Sequence, residues 1–192
     1  GDKSFAWLND SVRNKIHAAF ERGLKMVLDC QVRQRGVKTA WAQQHDNITL
    51  QPVKARTFEL PAITANESCE ILLFLMGIKN PSPEVVEAIH CGVKWLRQVQ
   101  IKGVKLKRVP LAPDQIINHE YPYDLVVVKD LKAEPIWARF YEVTNNKPFM
   151  CTRSGKKVWR LADVDPERRT GYDWYGYWPK KVFEVYAKFI SR

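Results

Sequence analysis

Apolar residues recur at three- and four-residue spacings through residues 9–31. Val12, Ile16, Ala19, Phe20, Leu24, Val27 and Leu28 form one stripe, and Arg13, Lys15, Glu21, Arg22 and Lys25 fill the other face. That period is helical, so an amphipathic helix is expected there, capped by Asn9 or Asp10. Arg33-Gln34-Arg35-Gly36 then turns the chain into an extended segment at 37–43. A second helix is expected over 66–76, starting near Asn66 or Ser68. Pro81-Ser82-Pro83 interrupts the pattern, and Ser82 caps a third helix with Pro83 in its first position, running to about residue 100. Its buried face is expected to carry Val85, Val86, Ile89, Val93, Trp95 and Leu96.

Beyond residue 101 the period shortens. Lys102, Lys105, Lys107 and Arg108 alternate with Val104, Leu106 and Val109, which reads as a basic strand. Leu125-Val126-Val127-Val128, residues 137–143 and residues 155–161 read as further extended segments. A last helix is expected over 178–190, with Val182, Phe183, Val185, Tyr186 and Phe189 turned inward. The chain shows no internal repeat, low-complexity tract or linker, and 192 residues suit a single domain, 1–192.

Composition narrows the function classes. The chain is 45% hydrophobic and 27% charged, which is globular rather than disordered. Its longest apolar run, residues 71–76, falls far short of the roughly 20 needed to span a bilayer. Lys and Arg number 31 against 21 Asp and Glu, a net charge of +10, which points to a polyanionic partner: nucleic acid, acidic polysaccharide or an anionic surface. Cys30, Cys69, Cys91 and Cys151 form no C-x-x-C pair, which excludes a zinc ribbon or thioredoxin-type motif and favours buried free thiols. The opening Gly1-Asp2-Lys3-Ser4 carries no hydrophobic signal region.

Four stretches carry chemistry. Trp41-Ala42-Gln43-Gln44-His45-Asp46 could hold a His–Asp pair or merely a surface pair. Arg56, Glu59 and Glu67 lie just before a helix start, where free N–H groups attract anions, although Arg56–Glu59 or Arg56–Glu67 could equally be a structural ion pair. Arg139, within Trp137-Ala138-Arg139-Phe140-Tyr141, is followed fourteen residues later by Arg153; guanidinium groups among rings suit a ligand with carboxylates and planar faces. Residues 167–176, with Arg168, Arg169, Tyr172, Trp174 and Tyr175, mix rings and cations as sugar and single-stranded nucleic-acid platforms do.

The strings WAQQHDNITLQP (41–52), KAR (54–56), FELPAIT (58–64) and ES (67–68), then FLMGI (74–78), NPSPEVVEAI (80–89), GVKWL (92–96) and residues 137–179, resemble pectate lyases of polysaccharide lyase family 10. The resemblance implies a mainly α fold, an (α/α) toroid-like helical domain with long loops and a few short β-strands, of which this chain is the C-terminal portion of the catalytic domain. It implies calcium-dependent β-elimination of polygalacturonate. Arg56 is then the catalytic residue, as base or as electrostatic stabiliser. Lys38, Arg139, Arg153, Arg168, Tyr172, Trp41, His45 and Asp46 bind substrate. The calcium ligands are expected largely outside this chain, because the family's aspartate-bearing metal loop has no counterpart here. Where relatives carry Ser-Leu-Ser-Gly before the Glu-Ser pair, this chain has Ala62-Ile63-Thr64-Ala65-Asn66. A secreted or periplasmic monomer acting on oligogalacturonides, without nucleic-acid or membrane partners, completes the expectation. The alternative is a non-catalytic pectin-binding module. Nucleic-acid binding ranks below both, since the cations are interspersed with Glu134, Glu142, Asp163 and Asp165.

Overall fold

Leu72, Leu75, Met76, Ile89, Val93, Trp95, Leu96 and Val182 come from three different helices and meet in one buried cluster. The computed structural model that places them describes residues 5–191, the side chains of 117 and 118 excepted; Gly1–Ser4 lie outside it. The helices are α2 (Ala65–Met76), α3 (Pro83–Gln98) and α5 (Pro179–Phe189). Ser82 caps α3, its Oγ accepting from the Val85 N–H at 3.3 Å, with Pro83 in the first turn as the sequence implies. Gly92 lets α3 come close to α2: a Cβ there would meet the Leu72 side chain at 2.8 Å and the Trp41 ring at 3.3 Å.

Helix α1 (Asp10–Asp29) starts at Asn9, whose Oδ1 accepts from the Val12 N–H at 3.0 Å. The buried stripe expected on it is largely absent. Only Leu28 is buried, Leu24 and Val27 are partly covered, and Val12, Ile16 and Phe20 are exposed. The helix is anchored by its C-terminal turn, where the Trp41 indole N–H donates to the Val27 carbonyl at 2.7 Å. Its N-terminal half buries none of its apolar positions, so the periodicity there is not matched by a covering surface.

The strands form a second centre. Strands β1 (Arg33–Gln34) and β2 (Val37–Lys38) make a hairpin turned by Arg35 and Gly36, both at positive φ. β3 (Ile63–Thr64) enters a four-stranded antiparallel sheet in the order β3-β7-β8-β9, with β7 (Phe140–Tyr141), β8 (Pro148–Cys151) and β9 (Lys157–Val158). β4 (Val104–Pro110) pairs along its length with β5 (Tyr123–Lys129), and β6 (Trp137–Ala138) pairs with β10 (Tyr175–Gly176). A short helix, α4 (Pro166–Thr170), precedes β10. Phe140, Phe149, Met150, Cys151, Val158, Leu161, Val164 and Trp174 form the core of this half.

The expected (α/α) toroid is therefore not the fold. The described residues hold five α-helices and four small antiparallel sheets, an α+β arrangement. A toroid needs successive helical hairpins to close a ring, but here the segment between α3 and α5 is spent on strands and turns. Its aromatic and β-branched residues bury themselves between strands rather than along a helix.

Candidate functional site

At one margin of the strand-built core the rings of Phe58 and Tyr172 pack edge to face, with centroids 6.1 Å apart. Tyr172 lies 4.6 Å from the Trp174 ring and 6.1 Å from Phe140, which fixes it to the core. Four arginines from four separate segments gather on these rings. Arg56 stands 5.0 Å from the Phe58 centroid and Arg153 5.9 Å from it; Arg139 lies 4.9 Å from Tyr172. Arg168 lies over both, 3.8 Å from Phe58 and 4.7 Å from Tyr172.

The backbone explains the convergence. Residues 55–59 form a closed turn, with Ala55 N–H to Glu59 C=O at 3.0 Å and Glu59 N–H to Arg56 C=O at 2.9 Å. Arg139 sits in the bend between β6 and β7. Its carbonyl accepts from Ala65 N–H at the start of α2, and its N–H donates to the Trp174 carbonyl. Arg153 occupies the turn between β8 and β9, held by its N–H to Asp165 Oδ2 at 2.5 Å. Gly155 in that turn has φ +88, and a Cβ on it would lie 2.6 Å from the Thr57 carbonyl oxygen. The Arg153 turn therefore rests directly on the Arg56 turn.

Three of the arginines already have carboxylates. Arg56 forks onto Glu59, with Nε to Oε2 at 2.8 Å and NH2 to Oε1. Glu59, only 3% exposed, also accepts from Gln43 Nε2 at 3.0 Å and from the Arg56 N–H at 3.1 Å. These donors, Arg56 foremost, draw its carboxyl down to about 2, and Glu59 in turn raises the Arg56 guanidinium above its ordinary value. Arg139 pairs with Glu67 in the first turn of α2, and Arg153 Nε reaches Glu167 at 3.1 Å. Burial lifts the Tyr172 phenol to about 12, so it stays a hydroxyl.

Arg168 differs. It is 6% exposed, and neither its Nε nor its NH2 has a hydrogen-bond partner. Burial, and next the nearby Arg153 charge, push its guanidinium below its ordinary value. Its neighbour Arg169 makes the contrast: that side chain binds Asp124 bidentately, at 2.8–3.0 Å, and ties α4 to β5. Burying Nε and NH2 without acceptors is costly. These two atoms are closed to solvent, so a ligand carboxylate would meet the guanidinium at its remaining nitrogen, NH1. Glu67 Oε2, Gln43 Oε1 and Arg139 Nε are likewise buried without partners around the same rings.

Four of the sequence-named residues lie elsewhere or serve the scaffold. Trp41 is 1% exposed in the helical core and has no face for a sugar. His45 uses both ring nitrogens on backbone, accepting from Ala42 N–H at 3.2 Å and donating to the Leu50 carbonyl at 2.8 Å. Asp46 closes the same loop through Ile48 N–H and both the N–H and hydroxyl of Thr49, which hold its carboxyl below the usual range. His45 and Asp46 thus build a turn and form no dyad. Lys38 lies on β2 against α3, paired with Glu87 at 2.6 Å. Arg56, Arg139, Arg153, Arg168 and Tyr172 are brought together. Phe58 and Gln43 are the additions; both stand inside stretches the sequence singles out, but an aromatic two residues after an arginine and a glutamine close to a tryptophan are too common as patterns to be picked from them.

Calcium takes about six to eight oxygen ligands. Among the described residues no group of three or more His, Cys, Asp or Glu side chains is placed to hold a metal, and Glu59 and Glu67 are each occupied by an arginine. The described residues do not fit a calcium site.

Comparison with known proteins adds a family. The family model described as pectic acid lyase matches residues 2–183. No curated protein sequence matches the chain. A solved family 10 polysaccharide lyase from Cellvibrio cellulosa is similar at 28% identity and a TM-score of 0.79. A mutant of a family 10 polysaccharide lyase from the same organism, in complex with trigalacturonic acid, gives 28% and 0.78. In both, 95% of this chain is covered, and the chain spans only 53% of the solved one.

Proposed function

We propose, because the chain belongs to the pectic acid lyase family, that the arginine cluster binds the uronate carboxylates of polygalacturonate and assists its cleavage by β-elimination. The observation that carries this reading is Arg168, buried on Phe58 and Tyr172 with no acceptor of its own. A galacturonate supplies the missing part, a carboxylate for the guanidinium. The +10 balance then concentrates a substrate that carries one negative charge per sugar.

In β-elimination the proton on C5, beside the carboxylate, passes to a base, here water or hydroxide from solvent. Its bonding pair forms the C4–C5 double bond, and the oxygen on C4 departs with its own pair, takes a proton from solvent and leaves an unsaturated end. Charge builds on that carboxylate in the transition state, so donors aimed at it favour the transition state over the ground state. Arg168 and Arg153 are the cations to grip it, and Arg56 adds a third charge beside Phe58. Held by Glu59, Arg56 acts here as a cation and not as a proton acceptor. Tyr172, kept neutral, can donate its O–H to a sugar oxygen.

The second reading is a pectin-binding module without turnover. A cluster in which each carboxylate is already paired favours it. Incubation with polygalacturonate, with and without added calcium, separates the two. Growth of the ultraviolet absorbance of an unsaturated uronate supports the lyase. Binding of trigalacturonic acid without that absorbance supports the module, and no binding at all refutes both.

A further inference from the structure

We infer that Glu59 is a positioning residue, a buried carboxylate that orients the Arg56 guanidinium on the Phe58 ring and presents it to an incoming uronate. The inference rests on the proposed function, since it needs Arg56 to meet a carboxylate.

The two partners are unlike in their surroundings. The Arg56 side chain is 65% exposed, whereas Glu59 is 3% exposed. An exposed arginine on a tight turn ordinarily samples many rotamers, and surface ion pairs three residues apart contribute little to stability. Here the carboxylate is fixed before the arginine arrives. Gln43 Nε2 and the Arg56 N–H hold its two oxygens, at 3.0 and 3.1 Å, and the Tyr172 hydroxyl stands 3.5 Å from Oε1. The guanidinium then has one in-plane docking mode, with Nε on Oε2 and NH2 on Oε1. That mode uses two nitrogens and leaves NH1 to point at a ligand.

A fold that needed only stability would gain as much from an apolar residue at position 59. A buried charge directed at an exposed one instead serves orientation, because an aligned N–H is worth more to a ligand than a mobile one. The device recurs beside it, where Glu67 holds Arg139 over Tyr172. Glu59 stays ionised through the whole working range, with its carboxyl at about 2.

A double-mutant cycle on trigalacturonic acid affinity tests the inference. The 192-residue chain is compared with Glu59→Gln, Arg56→Ala and the pair together, by titration calorimetry, with thermal unfolding recorded for each. A residue that acts through Arg56 loses its effect once Arg56 is gone. Glu59→Gln should therefore weaken binding about tenfold alone and not at all in the Arg56→Ala background. An equal loss in both backgrounds overturns the inference, because Glu59 would then act on its own or through the fold. So does an unchanged affinity in the single Glu59→Gln variant. Should Glu59→Gln not fold, Gln43→Ala removes one of the donors that fix the carboxylate, and its smaller loss must likewise vanish without Arg56. If the wild-type chain does not bind trigalacturonic acid, the proposed function fails first and takes this inference with it. Binding by the wild type that Arg56→Ala leaves intact sinks the positioning role alone.

Discussion

Replacing Arg168 by methionine should make the protein more stable and a worse binder. The side chain is 6% exposed and stacks 3.8 Å from Phe58, 4.7 Å from Tyr172 and 5.5 Å from Trp174. Such desolvated cation–ring contacts contribute about 2 kcal/mol. Against this stand two guanidinium nitrogens, Nε and NH2, buried without acceptors, each costing about 1–3 kcal/mol. Taking the two penalties together at about 3–4 kcal/mol, the balance favours removal by about 1–2 kcal/mol, and methionine keeps a flexible, polarisable chain against the three rings. At roughly 2–4 °C per kcal/mol for a chain of this size, the midpoint of thermal unfolding should rise by about 2–8 °C. A carboxylate held by charge-assisted hydrogen bonds contributes about 1.5–3 kcal/mol, so trigalacturonic acid affinity should fall roughly ten- to a hundredfold. Scanning calorimetry and titration calorimetry on the same preparation read both changes. A variant that melts lower and binds as well as the wild type would refute the reasoning, since Arg168 would then be a structural cation with a partner in solution.

Arg153→Ala should weaken binding of unesterified oligogalacturonate about tenfold and leave a fully methyl-esterified oligomer unaffected, because its carboxylates are masked; equal losses on the two ligands would make Arg153 structural. Gly155→Ala puts a Cβ at φ +88 and 2.6 Å from the Thr57 carbonyl, so it should cost about 1–3 kcal/mol in denaturant titration and also weaken binding by separating the Arg153 and Arg56 turns. Stability should fall with pH below the ordinary carboxylate range. Glu59 titrates near 2 when folded and higher when unfolded, so its contribution is complete above about 4.5 and is lost as pH descends toward 2. Glu59→Gln should flatten that part of the acid-unfolding curve, and an unchanged curve would contradict the pairing.

The local punctuation of this chain is written in its residues. Ser82 and Pro83 start α3, Asn9 starts α1, and Arg35-Gly36 turns the first hairpin, because caps and turns depend on groups three or four residues away. The arginines that matter were also legible as types, since rings beside guanidinium groups suit an acidic sugar. Tertiary structure decided the rest. The stripe on α1 has helical period whether or not a surface meets it, and only the placement of the other helices leaves Phe20 and Ile16 exposed. Residues 137–164 show apolar alternation too short to choose a partner strand, so the second core and the departure from a ring of helices could be seen only with β3, β7, β8 and β9 paired. The same holds for charge. Arg56 with Glu59, Arg139 with Glu67 and Arg169 with Asp124 are separated by 3, 72 and 45 residues, while Arg168 beside them has no partner. An arginine's availability to a ligand depends on which carboxylates the fold brings within hydrogen-bond reach, and only the folded chain sets those distances.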